Sequence, residues 1–285
     1  MKLGWIAALL LMSPTVFATT TIQDERGHLL KLKQTPQRII SLAPHVTELL
    51  YAVGASAQLV GADAGSDYPA AAKQLPRIGD YSRVNFERVA ALKPDLVIGW
   101  RSGNRAADIY RLKQMGLPVL LTDAHSLTDV ARLLRLIAQT TGHIQDGERT
   151  AREFEIRLAK LRARYASTPP RRVFYQVWDQ PLMTVGGQHW INDAITLCGG
   201  RNIFADLTGA APRVSLESVL TRAPEIIISG DDAPDRRSMW QRFSRLPAVK
   251  QGALMRMDVD ALHRPTPRVL DGVEMLCHTM LRARR

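Results

Sequence analysis

Two glutamates, Glu87 and Glu217, occupy equivalent positions in a stretch that the chain contains twice. The first copy, RVNFERVAALKPDLVIGW, begins at Arg83, and the second, RVSLESVLTRAPEIIISG, begins at Arg213. A pair of carboxylates could act as acid and nucleophile in glycoside hydrolysis. Both glutamates, however, lie near the start of a predicted helix, whereas an α/β fold places its site at the ends of strands. They are therefore expected to be either solvated residues, placed where the helix dipole favours negative charge, or contacts for a partner.

The repeated stretch also predicts the organisation of the chain. Each copy contains a short helix, a proline that ends it (Pro94 or Pro224), and a continuous apolar run at 96–98 or 226–228. Such a run is typical of a strand that is buried on both faces. Two copies at equivalent places in two halves predict a two-lobed protein, in which each lobe presents one acidic helix in the same orientation.

Patterns that would indicate catalysis or a metal centre are absent from the sequence. It contains no Gly-x-Ser-x-Gly elbow, no glycine-rich phosphate loop with lysine and no His-Glu-x-x-His motif. Its seven histidines are dispersed without a close pair, whereas zinc or manganese needs three or four converging ligands. The sequence therefore predicts neither catalytic residues nor a metal centre.

Strand and helix signals alternate along both halves, which predicts an α/β fold with parallel strands and helices on both faces. We expect two doubly wound, Rossmann-like lobes at 19–146 and 169–285, with a ligand cleft between them. The longest uninterrupted helical pattern lies between the lobes and carries one apolar stripe. It predicts a rigid connecting helix at 147–168 that limits how far the lobes open.

The first 18 residues have the layout of a secretory signal peptide. Lys2 precedes an apolar run from residue 5 to residue 12, and small residues follow, ending in Ala18. The run is too short to span a bilayer, and no later segment is long enough either. We expect cleavage near Ala18 and an exported mature chain without a transmembrane segment; an uncleaved anchor is the alternative.

The chain has two cysteines, Cys198 and Cys277. In an exported protein an even number of cysteines most simply indicates a disulfide, which would tie the last helix to the helix ending at Cys198. The alternatives are two buried thiols or a two-cysteine metal site, and no histidine pair supports the latter.

The net charge of +11 raises nucleic acid as a partner. The arginines are scattered over many predicted helices, and no basic stretch is interleaved with aromatic residues. The charge is therefore interpreted as solvated surface, and no nucleic-acid partner is expected.

Several motifs together resemble a known family. They are RIISLAP at 38–44, followed by Thr47 and Glu48, SDYP at 66–69, NFERVAALKPDLVIGW at 85–100, RRVFYQVW at 171–178, CGGRNIF at 198–204, VSLESVL at 214–220 and TPR at 266–268. The chain resembles the periplasmic substrate-binding proteins of the helical-backbone type, which feed importers of corrinoids, siderophores and haem. The combination of SDYP, Trp100 with Arg101, and CGG is similar to the cobalamin branch of that family.

The resemblance implies a monomeric periplasmic protein that carries cobalamin as a transported ligand rather than a cofactor. It implies ligand contacts at Tyr68, Tyr81, Trp100, Asp260 and Arg264. Trp178 follows a second-lobe strand and is expected to form an opposing aromatic wall, and packing in the core is the alternative for each of these aromatic residues. The resemblance also implies that Glu87 and Glu217 each meet an arginine cluster on one of the two permease subunits of an ABC importer. Charge-assisted carboxylate–arginine pairs are strong and geometrically specific, which suits docking.

The sequence departs from the family's pattern at several aromatic positions. Gly65 stands where the family has a tyrosine, and Ala211, Ala261 and Tyr81 stand where it has tryptophans. These losses leave haem or a ferric siderophore as an alternative ligand. His45, after a first-lobe strand, is the residue that would bind haem iron, and His263 is a second cleft histidine.

Overall fold

The computed structural model describes residues 20–23, 29–80, 82–230 and 237–283, and the expected signal peptide at 1–18 lies outside them. Each half of the chain forms a four-stranded parallel sheet, and the two sheets have equivalent strand orders. Parallel strands that are covered by helices need apolar residues on both faces, which both sheets have. The predicted α/β architecture of two lobes with a cleft between them is confirmed.

The N-terminal lobe has the sheet order β4-β3-β7-β8. Its elements are β1 (Thr20–Gln23), β2 (Leu29–Leu32), β3 (Ile39–Ser41), α1 (Pro44–Ala52), β4 (Leu59–Ala62), β5 (Gly79–Asp80), β6 (Arg83–Val84), α2 (Phe86–Ala91), β7 (Leu96–Trp100), α3 (Ala106–Gln114), β8 (Val119–Thr122) and α4 (Asp129–Thr141). β1 pairs with β2, and β5 with β6, in small antiparallel ribbons.

A long helix, α5 (Ile144–Tyr165), leads into the C-terminal lobe, whose sheet order is β12-β9-β13-β14. The elements of this lobe are β9 (Arg171–Gln176), β10 (Trp178–Asp179), β11 (Leu182–Met183), α6 (Trp190–Leu197), β12 (Gly200–Asn202), α7 (Leu216–Arg222), β13 (Ile226–Gly230), α8 (Arg237–Gln241), α9 (Pro247–Lys250), β14 (Leu254–Met257) and α10 (Val269–Arg282).

The two copies of the repeated stretch fold alike. Asn85 caps α2 by accepting a hydrogen bond from the third helical residue, and Ser215 caps α7 in the same way. Both copies also have a residue of positive φ before the proline, Lys93 at 45° and Ala223 at 46°. A left-handed residue at the helix end turns the chain sharply into the following strand. The repeat is therefore preserved at the level of caps and backbone turns.

Helix α5 lies across both lobes. It packs along α4 of the first lobe and also contacts α6 and α10 of the second. Arg157 forms ion pairs with Asp271 and Glu274 of α10 at 2.6 and 2.9 Å. The helix begins at Ile144, three residues before the expected boundary at Gly147, because that glycine is accommodated inside the helix. A Cβ on Gly147 would lie 2.1 Å from the Cβ of Ala138, so the glycine allows α4 and α5 to approach closely.

One cluster of buried apolar side chains runs through both lobes. It includes Ile98 of the first sheet, Leu134 of α4, Leu158 of α5, Ile228 of the second sheet and Leu276 of α10. Each lobe has a further cluster on the other face of its sheet. Because the shared core contains α5, the connecting helix is packed into the lobes rather than forming an exposed linker.

Cys198, at the end of α6, forms a disulfide with Cys277 of α10, as predicted. The two residues are 79 positions apart, and both are almost fully buried. The bond fixes the last helix against the end of α6. No described helix combines the length and apolar character that crossing a bilayer requires.

Candidate ligand-binding site

A cleft lies between the lobes, at the carboxyl ends of strands from both sheets. Its main part, called the groove below, has a volume of about 360 Å³. The groove is lined by Pro44, His45 and Trp100 of the first lobe and by Trp190, Asp258, Val259, Asp260, His263, Arg264 and Pro265 of the second. One side is apolar and aromatic, whereas the other carries charge. This mixture suits a ligand with a flat apolar face and a polar edge.

Trp100, the last residue of β7, is held in place by its neighbours. Its indole Nε1 donates to Oδ1 of Asp123 at 3.3 Å, and its edge meets the ring of His45 with centroids 5.3 Å apart. Gly103 lies directly against the indole, where an added Cβ would come within 1.8 Å of a ring carbon. The half-buried tryptophan is therefore fixed before any ligand arrives, which reduces the entropy lost on binding.

A buried carboxylate of the first lobe reaches the second lobe. Glu48 lies on α1 and its side chain is 3% exposed. Its Oε1 accepts hydrogen bonds from Nη1 of Arg264 and Nη2 of Arg268, both at 2.9 Å. Its Oε2 accepts hydrogen bonds from the hydroxyl of Thr266 at 2.8 Å and from Nε of Arg268 at 3.1 Å. Since these contacts join the lobes, we name Glu48, Asp67, Asp260, Arg264 and Arg268 the inter-lobe ion network.

The outer members of this network lie at the groove. Arg264 contacts Asp67 at 2.6 Å and Asp260 at 2.8 Å, and Arg268 contacts Asp260 at 3.0 Å. Burial alone would lower the pKa of Arg264, but hydrogen bonds to Asp67 and Glu48 and the nearby carboxylate charges raise it above its ordinary value. Both arginines thus remain charged, and the half-exposed Asp260 is held by two cations at the edge of the groove.

Two histidines beside the cleft are buried in the neutral form. Burial, and secondarily the charge of Arg264, lowers the pKa of His45 from 6.5 to about 3. Burial, with smaller contributions from His263 and His125, lowers the pKa of His189 to about 3. Desolvation disfavours the imidazolium form, which accounts for the direction of both shifts. These rings therefore contribute uncharged surface to the cleft at neutral pH.

We expect the two histidines to make the folded protein sensitive to acid. The unfolded chain takes up these protons near pH 6.5, whereas the folded protein does so only near pH 3. Their stabilising contribution is therefore complete above pH 6.5 and is lost as the pH falls towards 3. The free energy of unfolding, measured with urea at a series of pH values, should fall less steeply with decreasing pH for His45→Gln than for the native chain. The exposed His278→Gln serves as control, and equal declines for His45→Gln and the native chain would contradict the assignment.

A second cavity of about 200 Å³ adjoins the groove and shares Trp100, Trp190 and His263 with it. We call this cavity the recess. Its remaining lining is formed by Val177, Val185, His189, Ile191, Ala210 and Ala211. The recess is largely apolar, and the described residues that line it include no Asp, Glu, Lys or Arg. It lies entirely on the second-lobe side apart from Trp100.

Comparison with known proteins identifies the family. The model of the periplasmic binding protein family matches residues 39–261. The chain belongs to this family. A curated relative, the vitamin B12-binding protein of Vibrio parahaemolyticus, is 35% identical over 265 residues, which cover 93% of each chain. The protein of the same name from Vibrio cholerae is 38% identical over 242 residues, covering 85% of this chain and 88% of its own length.

Solved structures of periplasmic binding proteins show the same architecture. The periplasmic vitamin B12 binding protein of Vibrio cholerae superposes with a TM-score of 0.81 at 37% identity, covering 88% of this chain and 99% of its own. A periplasmic heme-binding protein from Roseiflexus superposes with a TM-score of 0.76 at 26% identity, covering 87% and 99%. Family membership confirms the predicted class of protein, a periplasmic binding protein.

Within this binding protein the expected ligand residues fall into three groups. Trp100, Asp260 and Arg264 come together at the groove. Tyr68 is 44% exposed and lies under the guanidinium of Arg268, 3.8 Å from the ring centroid, beside the network rather than in the groove lining. Trp178 is 51% exposed on the β10–β11 ribbon and does not line either cavity.

Tyr81 lies outside the described residues.

Two residues to which the sequence analysis assigned no role prove central to the geometry. Glu48 follows Thr47 in a helix that is otherwise largely apolar, and a lone carboxylate in such a helix is a signal for a buried ion pair. Trp190 is buried at the start of α6, where its Nε1 donates to the carbonyl of Leu262 at 2.8 Å.

The two repeated glutamates lie on the surface. Glu87 is in the first turn of α2 and Glu217 in the first turn of α7, and both are exposed. Because α2 and α7 have equivalent positions in the two lobes, the glutamates form a pseudo-symmetric pair. Neither glutamate lines the groove or the recess.

Proposed function

We propose that this chain captures vitamin B12 or a closely related corrinoid in the periplasm and delivers it to an ABC importer, without performing chemistry on the ligand. The observation that carries the proposal is the groove, which combines the fixed face of Trp100 with the charged edge of Asp260 and Arg264. A corrin ring is flat and apolar on its faces and carries amide groups around its edge. The curated relatives at 35–38% identity are named vitamin B12-binding proteins.

The ligand contacts are proposed at Trp100 for the ring face and at Asp260 and Arg264 for the amides. Asp260 offers carboxylate oxygens to amide N–H groups, and Arg264 offers N–H groups to amide oxygens. Tyr68, Tyr81 and Trp178 remain proposals as peripheral contacts. For Tyr68 the support is its stacking under Arg268, which places its ring next to the network.

Haem is the less favoured ligand because each of its two candidate iron ligands, His45 and His263, already contacts a hydroxyl group of the protein. Nε2 of His45 lies 3.5 Å from the hydroxyl of Thr122, and the residue is 4% exposed. Nε2 of His263 lies 2.9 Å from the hydroxyl of Tyr175. Iron ligation would require one of these nitrogens to leave its hydroxyl partner and turn into the groove. Cobalamin supplies its own nitrogen ligands to cobalt and needs no histidine from the protein.

The remaining proposals concern export and organisation. We propose cleavage of a signal peptide near Ala18, two lobes on either side of the connecting helix α5 (Ile144–Tyr165), and a monomeric mature protein. The position of α5 against both lobes supports a single connecting helix. Its packing into the shared core also predicts small movements of the lobes on ligand binding.

Gly103→Ala is expected to weaken cyanocobalamin binding by about tenfold, because the new methyl group must displace the Trp100 indole from its fixed position. Calorimetric titration measures the affinity, and tryptophan fluorescence reports the altered indole environment. Gly116→Ala is the control: its φ of 79° strains any side chain there, but no atom lies within 4 Å of the added Cβ and the residue lines neither cavity, so the affinity for cyanocobalamin should be unchanged. Equal affinities for Gly103→Ala and the native chain would show that the orientation of Trp100 does not matter.

Delivery to the importer is tested by reversing the charge of the two exposed glutamates. In cells that lack their own B12-binding protein, Glu87→Lys with Glu217→Lys should reduce B12 uptake at least about tenfold, because docking arginines would then face lysines. Binding by the purified variant should be unchanged. Glu153→Lys, an exposed site on α5, is the control and should transport normally. Normal uptake by the double variant would contradict the docking role.

A further inference from the structure

The charged edge of the groove is held in place by a carboxylate that does not itself face the groove. Glu48 is almost fully buried, and it is not part of the groove lining. Each of its oxygens accepts two hydrogen bonds, from Arg264 and Arg268 at Oε1 and from Thr266 and Arg268 at Oε2. A carboxylate has about four acceptor sites, so none remains for a ligand. Glu48 therefore acts on a ligand only through the groups that it holds.

Arg264 connects this buried carboxylate to the groove. Its Nη1 donates to Glu48 at 2.9 Å and to Asp67 at 2.6 Å, and its Nη2 lies 2.8 Å from a carboxylate oxygen of Asp260. Three carboxylates thus share one guanidinium, which still has N–H groups for a neutral acceptor because a guanidinium carries five. A ligand carboxylate at the same place would be repelled by the three anions that already surround the cation.

The charged edge of the groove has an excess of negative charge. The inter-lobe ion network contains three carboxylates and two guanidiniums, which gives it a net charge of −1. Among the described residues that line the groove, Asp258 adds a further carboxylate, and the buried His45 stays neutral. This edge is negative although the whole chain carries a net charge of +11. The attraction of the chain for anions is therefore opposed at this edge.

The charge of Glu48 is the least screened in the network. Its side chain is 3% exposed, and those of its partners Arg264 and Arg268 are 16% and 22% exposed. Charges interact more strongly inside a protein than at its surface, where water and salt screen them. The side chain of Asp67, in contrast, is 54% exposed. Without the charge of Glu48, the network would contain two carboxylates and two guanidiniums, and its excess of negative charge would disappear.

We propose that Glu48 is a positioning residue that sets the charge of this edge, so that the groove binds amide groups there in preference to carboxylates. This inference rests on the proposed function, since it concerns the edge of the same ligand. A corrinoid with a carboxylate in place of an amide that faces Asp260 and Arg264 then binds weakly, although its shape is unchanged. The chemical class that the edge selects is the fully amidated corrinoid.

The test compares cyanocobalamin with its b-, d- and e-monocarboxylic acids by calorimetric titration at neutral pH. Each acid carries a carboxylate in place of one propionamide at the corrin edge. The native chain should bind at least one of the acids about tenfold more weakly than cyanocobalamin. For the same acid, Glu48→Gln should reduce this preference to about twofold or less, because the network then has no net charge. Glu48→Asp keeps the charge and should retain the preference.

The ratio of the two affinities distinguishes this role from a purely structural one. A change in the shape of the cleft would lower both affinities and leave their ratio unchanged. Asp67→Asn removes an exposed carboxylate of the same network, so it should reduce the preference by a smaller factor. Circular dichroism checks that each variant is folded, and Asp67→Asn decides the test where Glu48→Gln is not. Glu153→Gln, at an exposed site on α5, is the control and should retain the preference.

Three results would overturn the role of Glu48. Equal affinities of the native chain for cyanocobalamin and all three acids would show that the edge does not select amides. An undiminished preference in Glu48→Gln, or in Asp67→Asn where the former does not fold, would show that the charge of the network is not the cause. A preference lost equally in Glu48→Asp and Glu48→Gln would assign the effect to shape. Failure of the native chain to bind cyanocobalamin would instead overturn the proposed function.

Discussion

Glu48→Gln is expected to lower the free energy of unfolding by about 3–5 kcal/mol, the usual result of removing one partner from a buried ion pair. The substitution keeps the shape of the side chain but removes its charge. Arg264 and Arg268, whose side chains are 16% and 22% exposed, would then lose their shared buried anion. The effect is large because the carboxylate accepts hydrogen bonds from both arginines and from Thr266.

Urea unfolding of the purified protein measures this change. Asp67→Asn is the matched control, because Asp67 contacts the same Arg264 but its side chain is 54% exposed. An exposed ion pair contributes about 0–1 kcal/mol, so the control should be close to the native chain. Similar losses for the two variants would show that Glu48 has no special role in joining the lobes.

Replacing both cysteines with alanine is expected to lower the free energy of unfolding by about 2–5 kcal/mol. The bond between Cys198 and Cys277 closes a loop of 79 positions, which restricts the unfolded chain. It also fastens α10, whose Asp271 and Glu274 pair with Arg157 of the connecting helix. Loss of the bond should therefore loosen the contact between α10 and α5 as well.

Chemical reduction of the native protein distinguishes the effect of losing the disulfide from the effect of the two alanine substitutions on stability. The native protein should unfold at a lower urea concentration with reductant than without it, whereas the double alanine variant should be insensitive to reductant. Circular dichroism follows both transitions. Coincident curves for the oxidised and reduced native protein would show that the disulfide does not stabilise the fold.

The fold could be predicted from the sequence because its signals are local and repeated. The buried strands at 96–100 and 226–230 are apolar runs, and the acidic helices before them have Asn85 and Ser215 as caps. A strand followed by a helix in each half implies parallel sheets, whatever the details of packing. The start of α5 at Ile144 could not be predicted, because Gly147 lies inside the helix only where α4 and α5 approach closely, which is a tertiary feature.

The site was only partly predictable, since its residues come from distant parts of the chain. Trp100 could be identified because it ends a strand of the first sheet. The partners of Glu48 lie more than 200 residues away, and no local pattern links them to it. Trp178 also comes after a strand, β9, but it lies on the β10–β11 ribbon and is exposed there. Trp190, in contrast, is brought to the cleft by the loop before α6.

The most direct test of the account is calorimetric titration of the purified mature protein with cyanocobalamin, with haemin titrated in parallel. The groove and its fixed Trp100 predict submicromolar binding of cyanocobalamin, corresponding to more than about 8 kcal/mol of binding free energy, and no comparable binding of haemin. Tight binding of haemin without binding of cyanocobalamin would contradict the account and would make His45 the residue to substitute next.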